Sequence, residues 1–161
     1  MGTNQFVSYP ACVLDDPKHR LPPEQRSCIF TMRSVSADRQ RIFHALTVPE
    51  YIETWFSAPG ILTNRTVVHR RDDLFSITYY CAEERQFRIL CSYRVCRRSK
   101  LLFTWRHDNP SDKMSSLVKI RLEGDFGRTA VHVIHVGLEL SDWRWHQELW
   151  EASLEKMCKL F

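Results

Sequence analysis

Between residues 61 and 138 the chain alternates apolar and polar residues in short runs, and the connections between runs are too short to hold a crossover helix. Strands joined this way run antiparallel, because a parallel pair needs a dozen or more residues in its connection. After residue 140 the period of the pattern changes from two to 3.6 and stays there to the C-terminus, which predicts one long amphipathic helix. An antiparallel sheet of this size must cover one of its faces. The last helix is the one segment long enough to do so. The expected fold is therefore α+β: a strand, two short helices, a six-stranded antiparallel run, and a long C-terminal helix packed in the curved sheet.

The individual segments follow from local signals. Residues 28–35 predict the first strand. Ser36 stands as N-cap of a helix over residues 37–46, with Ile42, Phe43 and Leu46 inward. Thr47-Val48-Pro49-Glu50 has the form of a capping box, with Leu46 and Tyr51 at the staple positions, so a second helix runs to about Ser57. Ala58-Pro59-Gly60 closes it. Strands over residues 61–70 and 74–81 flank the turn Arg71-Asp72-Asp73. Residues 86–96 place Phe87, Ile89, Cys91, Tyr93 and Val95 on one face. Strands over 101–107, 117–123 and 128–138 complete the run, the last two joined at Gly124-Asp125-Phe126-Gly127. From Ser141 or Asp142 the final helix carries His146, Leu149, Trp150, Ser153, Leu154 and Met157 on its apolar side, with Trp145 between the two faces. Residues 1–27 hold four of the seven prolines and no periodicity, which marks an irregular N-terminal extension to a domain over residues 28–161.

Composition enters by exclusion. The five glycines match neither the dinucleotide-binding fingerprint nor the Walker phosphate loop. The net charge of +4 (23 basic against 19 acidic residues) is spread along the chain, so no nucleic-acid partner is expected. The six cysteines form no C-x-x-C pair, and strand parity puts Cys91 and Cys96 on opposite faces. His132 and His135 likewise face opposite ways, so no metal site is expected. The start of the chain lacks the basic and apolar regions of a secretory signal, and no apolar run reaches membrane-span length. A cytoplasmic protein with reduced thiols is the expectation.

Four motifs then point to one family. Arg41-Ile42-Phe43-His44-Ala45-Leu46-Thr47-Val48-Pro49-Glu50 with Trp55-Phe56 resembles its N-terminal VFxALTxPExxxxWF signature. Leu101-Leu102-Phe103-Thr104-Trp105 resembles its LxFTW strand, and Gly127-Arg128-Thr129 through His135-Val136-Gly137 its GTxxxxxHxG strand. Trp150-Glu151-Ala152-Ser153-Leu154 is similar to its closing WxxxL helix. These are motifs of the heat-shock protein 90 ATPase activator homologue-like family, within the SRPBCC (START/Bet v-like, helix-grip) superfamily. The resemblance runs over residues 28–160 with the motifs in order. It implies a space between the sheet and the last helix.

An apolar space with a few convergent polar groups is the usual form of a small-molecule site. The candidates for its lining are Phe87, Ile89, Tyr93, Phe103, Trp105, Val133, His135, His146, Trp150 and Ser153. The expected function is non-catalytic binding of a small hydrophobic or aromatic ligand, with no catalytic residue and no cofactor. The resemblance implies two further readings: a co-chaperone-like domain that acts on a chaperone or other protein partner, and a cavity enzyme of cyclase or hydrolase type. If the space is open at Ser153, a Phe there should block a ligand and leave stability nearly unchanged.

Overall fold

The computed structural model describes residues 27–59, 65–80, 85–109, 115–124 and 126–161. Of the expected N-terminal extension only Ser27 lies among them, and it opens the first strand. The elements are β1 (Ser27–Val35), α1 (Arg39–Thr47), α2 (Pro49–Trp55), β2 (Arg65–Arg71), β3 (Leu74–Tyr80), β4 (Gln86–Arg97), β5 (Lys100–His107), β6 (Ser116–Glu123), β7 (Thr129–Leu138) and α3 (Leu140–Leu160). The strands form one antiparallel sheet in the order β1-β7-β6-β5-β4-β3-β2. Among the described residues no helix is long and apolar enough to cross a membrane.

Alternation sets the inner face. Val118, Ile120 and Leu122 of β6 meet Val131 and Val133 of β7, all at most 2% exposed. Against them α3 lays Leu149, Trp150, Leu154 and Met157, which are equally buried. Full burial of such side chains contributes about 1.5–3 kcal/mol each. The indole of Trp143 ties the helix to β1 by donating to the Cys28 carbonyl at 3.1 Å.

Two local expectations are corrected at the short helices. The N-cap of α1 is Asp38, not Ser36: its carboxylate accepts the Arg41 N–H at 2.8 Å. The capping box at Thr47 does not form. Thr47 is the last residue of α1, and its hydroxyl donates to the Phe43 carbonyl at 2.8 Å. Val48 caps α2 without a side-chain bond, and Pro49 supplies the first helical residue with no N–H to satisfy. The staple is absent as well: Leu46 is buried while Tyr51 stays exposed, edge-on to His44 at 5.3 Å.

A third correction matters more. Tyr93 pairs with Phe103 but Val95 pairs with Leu102, so Arg94 is the extra residue of a β-bulge. Past the bulge the parity of β4 inverts. Val95 turns to the outer face with Leu102, and Cys96 comes to the side of Leu101, the side that also holds Cys91. The expectation that Val95 continues the inner face, and that Cys91 and Cys96 point opposite ways, fails for this reason.

Two turns place Asp or Gly at positive φ, and Phe126 takes φ 56° in the turn before β7. Asp72 sits at φ 54° between β2 and β3, and Gly124 at φ 130° after β6. A Cβ on Gly124 would stand 2.4 Å from the Arg128 carbonyl oxygen, so only glycine fits.

Candidate functional site

Inner-face parity on β5 aligns Trp105 with His107, β7, one strand in from the edge, contributes His135, and the first turns of α3 bring in Trp145 and His146. The aromatic rings meet edge to face: His135 and His146 at 5.1 Å, His107 and His146 at 5.3 Å, Trp105 and His135 at 5.5 Å. Trp105, His135 and His146 are at most 2% exposed. Buried polar groups of this kind must find partners, and here the partners fix which ring nitrogen of His135 and of His146 carries the hydrogen.

His135 accepts at Nδ1 from the Trp150 indole N–H at 3.0 Å. An indole nitrogen only donates, so His135 carries its hydrogen on Nε2. That hydrogen goes to Ser116 Oγ, 2.7 Å away, and the Ser116 hydroxyl donates to the Trp105 carbonyl at 3.2 Å. The chain of donors closes with nothing left over. Burial, reinforced by the neighbouring His146 and His107, holds the His135 pKa well below the usual imidazole range.

His146 is the opposite tautomer. Its Nε2 accepts from the Trp105 indole at 3.2 Å, and its Nδ1 donates to the Asp142 carbonyl at 2.8 Å. The Nε2 of His107 also lies 3.2 Å from the His146 Nε2. Since that nitrogen of His146 is an acceptor, His107 is the donor. The other two imidazoles would each oppose an indole N–H on protonation.

Above this floor opens a cleft of about 690 Å³. Its walls are aromatic. Tyr79 stacks on Phe87 at 5.5 Å and leans on Trp145 at 6.2 Å, while His107 meets Trp145 edge-on at 5.4 Å. Trp105, Ser116 and His146 form the floor, and Gln86, Arg88, Asp108 and Asp142 stand along the rim. Arg88 and Asp108 face each other at 3.7 Å.

The residues singled out from sequence fall at different depths. Phe87, Trp105 and His146 line the cleft. His135 lies one layer below, joined through Ser116, and Trp150 packs beneath it. Ile89 and Val133 are in the core with no exposure. Tyr93 and Phe103 lie away from the cleft, packed on Phe75 at 4.8 and 5.3 Å, and the Arg70 guanidinium sits 5.0 Å above the Tyr93 ring. Ser153 is fully buried and its hydroxyl accepts the Ser57 N–H at 3.0 Å, binding α3 to the segment after α2. Tyr79, His107, Ser116 and Trp145 complete the cleft. Strand parity carries a signal for two of them: Tyr79 shares a face with Phe75 and Ile77, and His107 with Trp105.

The family described as Activator of Hsp90 ATPase homolog 1-like protein matches residues 36–161. Solved structures share the fold at low identity. A protein from Chromobacterium violaceum has 16% identity and a TM-score of 0.69, over 83% of this chain and 96% of that one. One from Arthrobacter aurescens has 12% identity and a TM-score of 0.68, over 81% and 83%. One from Mesorhizobium loti has 19% identity and a TM-score of 0.62, over 83% and 96%. No curated protein matches the chain. With helix-grip topology and a profile match from α1 to the last residue, the chain belongs to the Activator of Hsp90 ATPase homolog 1-like family of the SRPBCC superfamily.

Proposed function

We propose that this domain binds a small hydrophobic or aromatic molecule in the cleft between α3 and strands β3–β5, without transforming it. One observation carries the reading: aromatic walls converge on a floor whose hydrogen-bonding groups are already fixed. Flat apolar walls with a few oriented polar groups are what small-molecule sites share, and the volume of about 690 Å³ is in their range. Tyr79, Phe87 and Trp145 would hold the body of the ligand, and His107 would meet its polar end. The same reading keeps the protein in the cytoplasm with its thiols reduced.

The test is a thermal-shift series with a panel of two- and three-ring aromatic probes, including 1-anilinonaphthalene-8-sulfonate, followed by tryptophan quenching. A saturating binder raises the melting temperature by several degrees. Phe87→Ala and Tyr79→Ala should abolish that rise. If no probe shifts the melting temperature, or if these variants leave the shift unchanged, the cleft is not the binding site.

A further inference from the structure

The face of the sheet turned away from α3 carries two adjacent rungs across β2–β5. In one, His69 pairs with Ser76, Ser76 with Leu90, and Leu90 with Arg106. In the next, Arg71 pairs with Leu74, Leu74 with Ser92, and Ser92 with Thr104. Direct partners on a ladder share a face. Short side chains in the middle and basic ones at both ends leave a groove of about 500 Å³. Its floor mixes hydroxyls with Leu90 and with Leu74, which is 60% exposed.

Part of the charge elsewhere on the surface is paired. Arg88 is answered by Asp108, Arg121 by Glu123, Arg144 by Glu148 and Lys159 by Glu155. Among the described residues Arg71 and Arg106 belong to no ion pair, and no carboxylate lines the groove. Both arginines are exposed.

We infer that this groove docks an extended acidic segment of a partner protein, with carboxylates at positions i and i+4 and an apolar residue at i+2. The spacing follows from the sheet. Arg71 of β2 and Arg106 of β5 are three strand intervals apart across the sheet and two residues apart along it, about 16 Å, and their long side chains close the difference to the segment. Four residues of extended chain rise about 13 Å, and even spacing puts their side chains on one side. The residue between the two carboxylates then falls over Leu74 and Leu90. Each guanidinium can take a carboxylate with two parallel N–H bonds. The segment crosses the strands, so side chains recognise it rather than an added ladder. This face is independent of the cleft on the other side.

The experiment is an NMR titration of the ¹⁵N-labelled full chain with the blocked peptide SESLSES. Shifts should appear at Ser76, Ser92 and Thr104. Arg71→Ala and Arg106→Ala should each weaken binding about threefold to tenfold, with melting temperatures unchanged, and Arg121→Ala should leave it as it is. Raising the salt from about 50 mM to about 500 mM should weaken it further. The inference is overturned if the peptide does not bind, or if its shifts map elsewhere. It is equally overturned if SEESLSS, with adjacent glutamates, binds as well. Tighter binding of heptathymidylate would make the face a nucleic-acid surface. A monomer–dimer equilibrium lost in Arg71→Ala would give the groove to a second copy. Either result rejects the acidic-segment assignment.

Discussion

The indole N–H of Trp105 points at Nε2 of His146 across 3.2 Å, and this contact decides which nitrogen of the imidazole carries its hydrogen. The same lone pair receives His107. His146→Phe removes that acceptor and leaves the buried Trp105 N–H without a partner. His146→Gln keeps an acceptor near the same place. The Phe variant should therefore be less stable than the Gln variant by about 1–3 kcal/mol in urea unfolding. Equal stabilities would show that the hydrogen bond to Trp105 contributes nothing net.

Stability should depend on pH through His135. Its folded-state pKa lies well below the unfolded value of about 6.5, because the ring is buried beside two other imidazoles. Below pH about 6.5 the unfolded chain takes up a proton that the folded chain refuses. The contribution is thus fully present above that pH and is lost as pH falls, at up to about 1.4 kcal/mol per pH unit. Unfolding free energies measured between pH about 7.5 and 5 should give a shallower slope for His135→Gln than for the parent. An unchanged slope would place the titration elsewhere.

Ser153 tests how the C-terminal half of α3 is packed. Its side chain is fully buried and bonded to Ser57, so the expectation that a Phe there would be harmless to stability does not carry over. Ser153→Phe should cost about 1–3 kcal/mol by overpacking, and Trp150→Ala about 3–5 kcal/mol by leaving a cavity. Both are read by chemical denaturation. A stable Ser153→Phe variant would reveal space beneath the helix.

The thiols should react in order of burial. Cys96 is exposed, Cys28 and Cys158 are half-buried, and Cys91 is buried, all four unpaired. Burial raises Cys28 to about 11, and Cys91 well above the usual thiol range. Timed alkylation at pH about 8, followed by peptide mass mapping, should label Cys96 first and Cys91 only on unfolding. Native-state labelling of Cys91 at the rate of Cys96 would contradict the packing of β4.

The sheet and the long helix were legible because burial imposes a period. Val118, Ile120 and Leu122 alternate as their single buried face demands, and His146 through Met157 keep the 3.6 spacing of the gripped side. Where the period is broken by backbone geometry, sequence has no mark for it. Arg94 bulges with no glycine to announce it, and so Val95 and Cys96 change sides. The capping box failed because Thr47 found a carbonyl one turn back inside α1, a competitor as good as the cap itself. At the site, Trp105 and His146 could be placed by face alone. The depth of each residue along the helix axis could not, and depth separates cleft-lining Phe87 and His146 from Tyr93 and Ser153.

Strand β1 leaves the N-terminal end of the chain and pairs with β7, so that Ser27 donates to the carbonyl of Leu138, 111 residues later. Strands β2 to β7 can zip as successive hairpins while the chain is still being made. β1 has no partner until residues 129–138 have emerged, and its outward Phe30 and Met32 stay about half exposed even afterwards. Closing so long a loop is the slow step of such a topology. Between the synthesis of β1 and that of β7 the nascent chain therefore carries an unpaired strand, and that is the interval in which it is most open to capture by other chains.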